Sequence, residues 1–245
     1  MSSKGKFLDM FKNHKPILGM LHLKGETDEE VFQIALKEID ALWENGVDAV
    51  VVENYFGKPH NVEMILSYLK ENKKDVIYGV NLLDNDELGF QLAKKYDAKF
   101  IQLDSVAGHL EIAEDEKFNE FITRHREECE AFVLGGVRFK YQPYKSGRSL
   151  EEDLKIGMTR CDAIVVTGDA TGMETDLEKI SSFRRIIGEF PLVVGAGMTA
   201  ENCSKQLTIG DAAVVGSYFK DTYKDTGDVS PDHVAVFMEA IAKCR

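Results

Sequence analysis

The feature that most constrains this chain is an eightfold alternation of short apolar runs with longer amphipathic stretches. Runs rich in Val and Ile occupy residues 16–22, 47–53, 75–81, 98–104, 131–140, 161–167, 191–196 and 211–216. Most are nearly continuous in apolar residues, the pattern of parallel strands covered on both faces. Between them lie segments with helical spacing at 27–45, 59–73, 86–96, 112–130, 149–160, 176–189 and 200–208, and a last one at 231–243 follows the eighth strand. In the first of these, Thr27 and Glu30 stand at capping-box spacing, and Val31, Ala35, Ile39 and Leu42 form one apolar stripe. Asn45-Gly46 then stops the helix, because glycine tolerates the left-handed backbone needed there.

An internal repeat favours closure of these eight strands into a barrel. The even strands each open with Asp-Ala, at Asp48-Ala49, Asp97-Ala98, Asp162-Ala163 and Asp211-Ala212. The odd strands each carry two apolar residues and then a glycine, at Gly19, Gly79, Gly135 and Gly195. A barrel interior is filled in layers drawn alternately from odd and even strands, so small residues on one set leave room for large ones on the other. An open doubly wound sheet demands no such alternation. The 245 residues are also close to the roughly 250 typical of a (β/α)₈ barrel. The expectation is one α/β TIM barrel spanning 1–245, with 1–15 as an N-terminal lead-in.

Charge and cysteine usage narrow the partners. With 30 basic against 42 acidic residues the formal charge is −12, the wrong sign for holding a nucleic-acid backbone. A small anion is still accommodated, because local backbone dipoles bind phosphate whatever the global charge. Cys129, Cys161, Cys203 and Cys244 are widely spaced with no CxxC pair, as in a reduced, cytoplasmic protein. No apolar run reaches the length of a transmembrane helix. A homo-oligomer is compatible with all of this.

Chemistry in such a barrel gathers at the C-terminal ends of the strands. The sharpest signal there is a pair of glycine-bearing ends, Gly195-Ala196-Gly197 after strand seven and Gly216-Ser217 after strand eight. Glycines let backbone N–H groups approach an anion closely, so the two ends together read as a C-terminal phosphate-binding site. Either one alone reads equally well as a plain turn. Thr167, Gly168 and Thr171 belong to a small flexible loop after strand six, in which Asp169 has an Asx-turn alternative. Glu53 ends an apolar Val-Val-Val run, where burial raises a carboxyl pKa and suits it to acid or base work. Asp104 and Asp169 are the candidate second carboxylates, for proton transfer or for a divalent metal. Lys140 is placed to neutralise a substrate anion or, less plainly, to form an imine. His22, Asn54 and Asn81 complete the expected pocket, whereas His14, His60, His109, His125 and His233 show no metal spacing. No cofactor is evident. Trp43, at a helix end, reads as core packing.

These residues also carry a resemblance to a known family. The stretch from Lys15-Pro16-Ile17-Leu18-Gly19 through Leu23 resembles the opening of the BtpA/SgcQ family. So do Val50–Asn54, Gly79-Val80-Asn81 with Asn85-Asp86, Val165–Gly168 with Thr171-Gly172 and Thr175-Asp176-Leu177, and Val214–Lys220 with Pro231-Asp232. The match runs from about residue 6 to 243. It implies a barrel of the ribulose-phosphate-binding type, similar in its last two glycine ends to tryptophan- and histidine-pathway isomerases. It delivers no activity, because the family is named for a cyanobacterial photosystem I biogenesis protein while other members look like products of sugar-utilisation operons. Strand four departs from the family pattern, ending Gln102-Leu103-Asp104 where an asparagine is expected. The leading expectation is an enzyme acting on a small phosphorylated sugar or ribosyl compound, by isomerisation or glycosidic-bond cleavage, through carboxylate acid/base chemistry. The rival is a non-catalytic assembly factor that retains the barrel.

Overall fold

A computed structural model describes residues 6–245, and eight parallel strands in it close into one barrel in sequence order. The strands are β1 (Ile17–His22), β2 (Ala49–Glu53), β3 (Tyr78–Asn81), β4 (Phe100–Ala107), β5 (Phe132–Val137), β6 (Ala163–Val166), β7 (Leu192–Val194) and β8 (Ala212–Val215). Helices α1 (Asp28–Glu44), α2 (Pro59–Asn72), α3 (Asp86–Tyr96), α4 (Ile112–Glu128), α5 (Leu150–Arg160), α6 (Leu177–Ile187), α7 (Cys203–Leu207) and α8 (Pro231–Ala242) follow them in turn. Among the described residues no helix is long and apolar enough to cross a membrane.

The Asp-Ala repeat has a specific mechanical role. Asp48, Asp162 and Asp211 each accept a backbone N–H at or next to the start of the preceding odd strand, from Ile17 (2.8 Å), Val133 (2.7 Å) and Leu192 (2.9 Å). Each of the three also meets an arginine, Arg245, Arg126 and Arg184 respectively. The carboxylate thus staples one β-strand to its neighbour at the base of the barrel. Asp97 is the exception: it caps α3 in the left-handed conformation and pairs with Lys70.

The odd-strand glycines do not all serve the interior. A side chain at Gly79 would come within 2.2 Å of the Phe100 ring, and one at Gly195 within 2.7 Å of Val165, so these two glycines make room inside the barrel. Gly19 instead abuts Leu42 and Val47, and Gly135 abuts Val106 and Cys161, in the outer layer between sheet and helices. The capping box of α1 is also displaced by one residue. Thr27 Oγ1 accepts the Glu30 N–H as expected, but the Glu30 carboxylate reaches back to the N–H of Glu26. In the lead-in, of which the first five residues lie outside the described ones, Phe7 is buried in a short 3-10 helix. Its ring packs edge-on against Phe100 and Phe132 and closes the barrel from below.

Register sets the functional end. His22 pairs with Glu53, Glu53 with Asn81, and Asn81 with Gln102, so four polar residues stand side by side across β1 to β4 at one level. β4 runs to Ala107 rather than stopping at residue 104, and a register shift follows Leu103. β5 ends at Val137 rather than 140, because Arg138 adopts a left-handed conformation and turns the chain away.

Candidate functional site

At the C-terminal ends of the strands a cavity of about 460 Å³ opens into the barrel mouth. One wall carries the polar row, in which His22, Glu53 and Gln102 line the cavity while Asn81, expected in the pocket, stands outside the lining. The chemistry of this wall is dominated by Glu53, which is buried on β2 with apolar Val51 below it. The Asn81 amide donates to Glu53 Oε1 at 2.7 Å and also reaches Asp104 Oδ1 at 3.3 Å, so one nitrogen bridges the two carboxyl groups. His22 Nε2 lies 3.5 Å from Glu53 Oε2, and its ring lies over Tyr55.

Burial sets the protonation state of this wall. It pushes the Glu53 carboxyl up to about 8, and the negative charge of Asp104 adds to the shift; Lys140 and the Asn81 amide pull the other way without cancelling it. Glu53 therefore holds a proton at neutral pH. Burial also pushes His22 down to about 3, helped by the nearby Lys220 and Lys140 charges, so the imidazole is neutral. The close His22–Glu53 approach is accordingly a contact between a carboxylic acid and a neutral ring rather than an ion pair. Asp104 is raised by burial, and Asp86, at the start of α3, is raised to about 6 by burial and the neighbouring Asp104.

The rest of the lining is built from loops, with Gly216 set against His22. Gly195, Ala196, Gly197, Gly216 and Ser217 all line the cavity, with Met198, Thr199 and Tyr218 beside them. The loop between β6 and α6 packs over these residues. A side chain on Gly172 would come within 3.3 Å of the Ser217 hydroxyl, and Thr175 donates to the Ala196 carbonyl at 3.1 Å. Gly197 is held at φ +63 with the Met173 carbonyl so close that a Cβ would sit 2.2 Å from it; only glycine fits. Lys140 is the cation of the lining, and its ammonium donates to Thr171 Oγ1 at 3.0 Å. Tyr55 shares that hydroxyl, and Tyr141 accepts the Thr171 N–H, so Thr171 ties three cavity residues together.

Not every expected residue reaches the cavity. Asp169 is exposed and stands outside the lining, where its charge faces Lys179, so Glu53 is partnered by Asp104. Asn54 turns its carbonyl to the N–H of Leu83 and fixes the loop after β3. Thr167 accepts the N–H of Lys140 at 2.9 Å and positions that lysine from behind. Gly168 lies against the Glu174 and Met173 carbonyls. Among the described residues no three His, Cys, Asp or Glu side chains are grouped to hold a metal ion.

Sequence reading missed Gln102, Tyr55, Tyr141 and Tyr223, all of which line the cavity. Gln102 was legible in principle, since inward positions alternate along β4 and Phe100, Gln102 and Asp104 share one parity. The tyrosines come from loops and carried no periodic signal.

The BtpA family model matches residues 13–243. The chain belongs to the BtpA family. The photosystem I biogenesis protein BtpA of Synechocystis is similar at 24% identity, over 95% of this chain and 90% of that one. The sgc region protein SgcQ of Escherichia coli is similar at 23% identity, over 97% and 98%. Among solved structures, phosphoribosylanthranilate isomerase from Thermus thermophilus superposes with a TM-score of 0.64 at 12% identity, covering 94% of this chain and 100% of that one. At such identity the likeness concerns the fold, which is the TIM barrel derived above.

Proposed function

We propose that this BtpA-family barrel is an enzyme that isomerises a small phosphorylated sugar or ribosyl compound. One observation carries the reading: a carboxyl group that keeps its proton at neutral pH shares a single cavity with the glycine-bearing ends of β7 and β8. In TIM barrels these last two ends are the habitual phosphate site. A phosphate seated against Gly195–Gly197 and Gly216-Ser217, with Lys140 countering its charge, would direct the rest of the ligand toward Glu53 and Asp104.

There the protonated Glu53 donates to a developing alkoxide or carbonyl oxygen, and Asp104 receives a proton from the neighbouring carbon. Asn81 holds both carboxyl groups in place from β3. The bridge by a single amide nitrogen favours isomerisation over glycosidic cleavage with inversion. An inverting pair flanks the bond from opposite sides about 6.5–9.5 Å apart to admit water, whereas these two groups share one wall. Imine formation at Lys140 is less favoured, because its ammonium is already tied to Thr171.

A second reading, a non-catalytic assembly factor, draws on the Synechocystis relative and on apolar side chains exposed around the mouth. Phe56, Tyr141, Tyr144, Met173 and Tyr223 project there from four different loops. Thermal denaturation against paired phosphorylated and unphosphorylated sugars tests the phosphate site. A ligand at 100 times its dissociation constant adds about 2.7 kcal/mol, so hits should require the phosphate and vanish in Ser217→Asp, which sets a carboxylate against the anion. Turnover of any hit, lost in Glu53→Gln, supports the enzyme. Binding without turnover favours the assembly factor, and no phosphate-dependent hit contradicts the enzyme reading.

A further inference from the structure

The inner end of the cavity has an imbalance of hydrogen-bonding groups. Gln102 is 4% exposed and lines the cavity at the level of Asn81. Its amide hydrogen bonds to Asp104, a contact in which only the NH₂ half can donate to a carboxylate. That fixes the orientation of the group and leaves the carbonyl oxygen, Gln102 Oε1, buried with no partner among the described residues. A buried acceptor without a donor is costly, and native proteins keep few of them.

The amide donors of this wall are already committed. Both carboxyl groups of this wall draw on the Asn81 amide, and the Gln102 NH₂ serves Asp104. Apart from the single O–H of Glu53, what the wall offers a visitor is acceptor capacity. The cation of the lining, Lys140, sits on the loop side with Thr171. Its charge also acts on Glu53 and Asp104, but its hydrogen bond is made on the loop side, whereas the orphaned acceptor and the charge of Asp104 lie on the strand wall.

We infer that the strand wall selects the uncharged, hydroxyl-bearing part of the ligand and disfavours a carboxylate there, with Gln102 as a specificity-determining acceptor. This rests on the phosphate site proposed above, which orients the ligand with its anion toward the loops. A ligand hydroxyl directed at Gln102 Oε1 satisfies the orphaned carbonyl. A carboxylate in the same place leaves it unsatisfied and adds repulsion from Asp104. The substrate class is then a phosphorylated sugar rather than a phosphorylated sugar acid.

Calorimetric titration with matched probes tests this: inorganic phosphate, glucose-6-phosphate and ribose-5-phosphate against 6-phosphogluconate and 5-phosphoribonate. The neutral sugars should bind at least about tenfold tighter than their acid counterparts, the worth of one buried hydrogen bond. Gln102→Met should lower neutral-sugar affinity by about that factor relative to inorganic phosphate. Asp104→Asn, which removes a charge at nearly constant volume, should improve binding of the acids. Equal or tighter binding of the sugar acids by the native protein overturns the inference while leaving the phosphate site standing. If no probe binds, inorganic phosphate included, the phosphate reading fails and this inference falls with it.

Discussion

Glu53 couples the stability of the molecule to pH in a direction opposite to that of an ordinary surface carboxylate. Folded, it keeps its proton to about pH 8, whereas its ordinary value is 4.5. Across that interval the folded state holds the extra proton, so stability is full below the ordinary value and is lost as pH rises through the folded one. His22, depressed to about 3 from 6.5, works the other way, contributing stability that is lost as pH falls through its own window. The two slopes oppose each other in mild acid, and above about pH 7 only that of Glu53 remains. Glu53→Gln keeps an acceptor for Asn81 and carries no charge. Its stability relative to the native protein, read by urea denaturation, should rise between about pH 5 and pH 9 by an amount on the order of a few kcal/mol. A constant offset across that range would show that the carboxyl is not buried as described.

Among the elements, the aspartates at the starts of β2, β6 and β8 tie the staves of the barrel together. Asp162 is the cleanest case, because it accepts the Val133 N–H and also holds Arg126 at 2.8 Å, with both side chains less than a quarter exposed. Asp162→Ala leaves both donors unsatisfied and should cost about 1–3 kcal/mol in urea denaturation. Asp97→Asn should fall within about 0.5 kcal/mol of the native protein, since asparagine accepts the left-handed cap and the exposed pair with Lys70 contributes little. The repeat itself was plain in the sequence. Its purpose was not, because which backbone N–H an aspartate reaches depends on the stagger between strands. For the same reason the glycine of each odd strand was visible, but not that Gly19 and Gly135 face the helices.

At the scale of the whole molecule, eightfold alternation in the chain was enough to give the barrel, its strand order and the end that carries the site. Glu53, Asn81 and the two glycine ends fell where strand ends place them. Asp169 was misplaced because its loop turns outward, and Gln102 was overlooked because it stands inside β4 rather than at the strand end, where the chemistry was sought. The lead-in gave no sign of its role: Phe7 sits far in sequence from Phe100 and Phe132, and only closure of the barrel brings them together. Phe7→Ala should cost about 3–5 kcal/mol by opening the base, with the cavity at the other end unaltered; unchanged stability would mean that the ring is no plug.

The proton on Glu53 is the hinge of the functional account, and difference infrared spectroscopy of the native protein against Glu53→Gln reads it directly. A protonated-carboxyl band should persist at neutral pH, fade as pH rises through about 8, be absent from the variant, and shift when a phosphorylated sugar occupies the cavity. A band already lost below about pH 6 would mean that Glu53 is an ordinary ionised carboxylate, and the acid role assigned to it would be wrong.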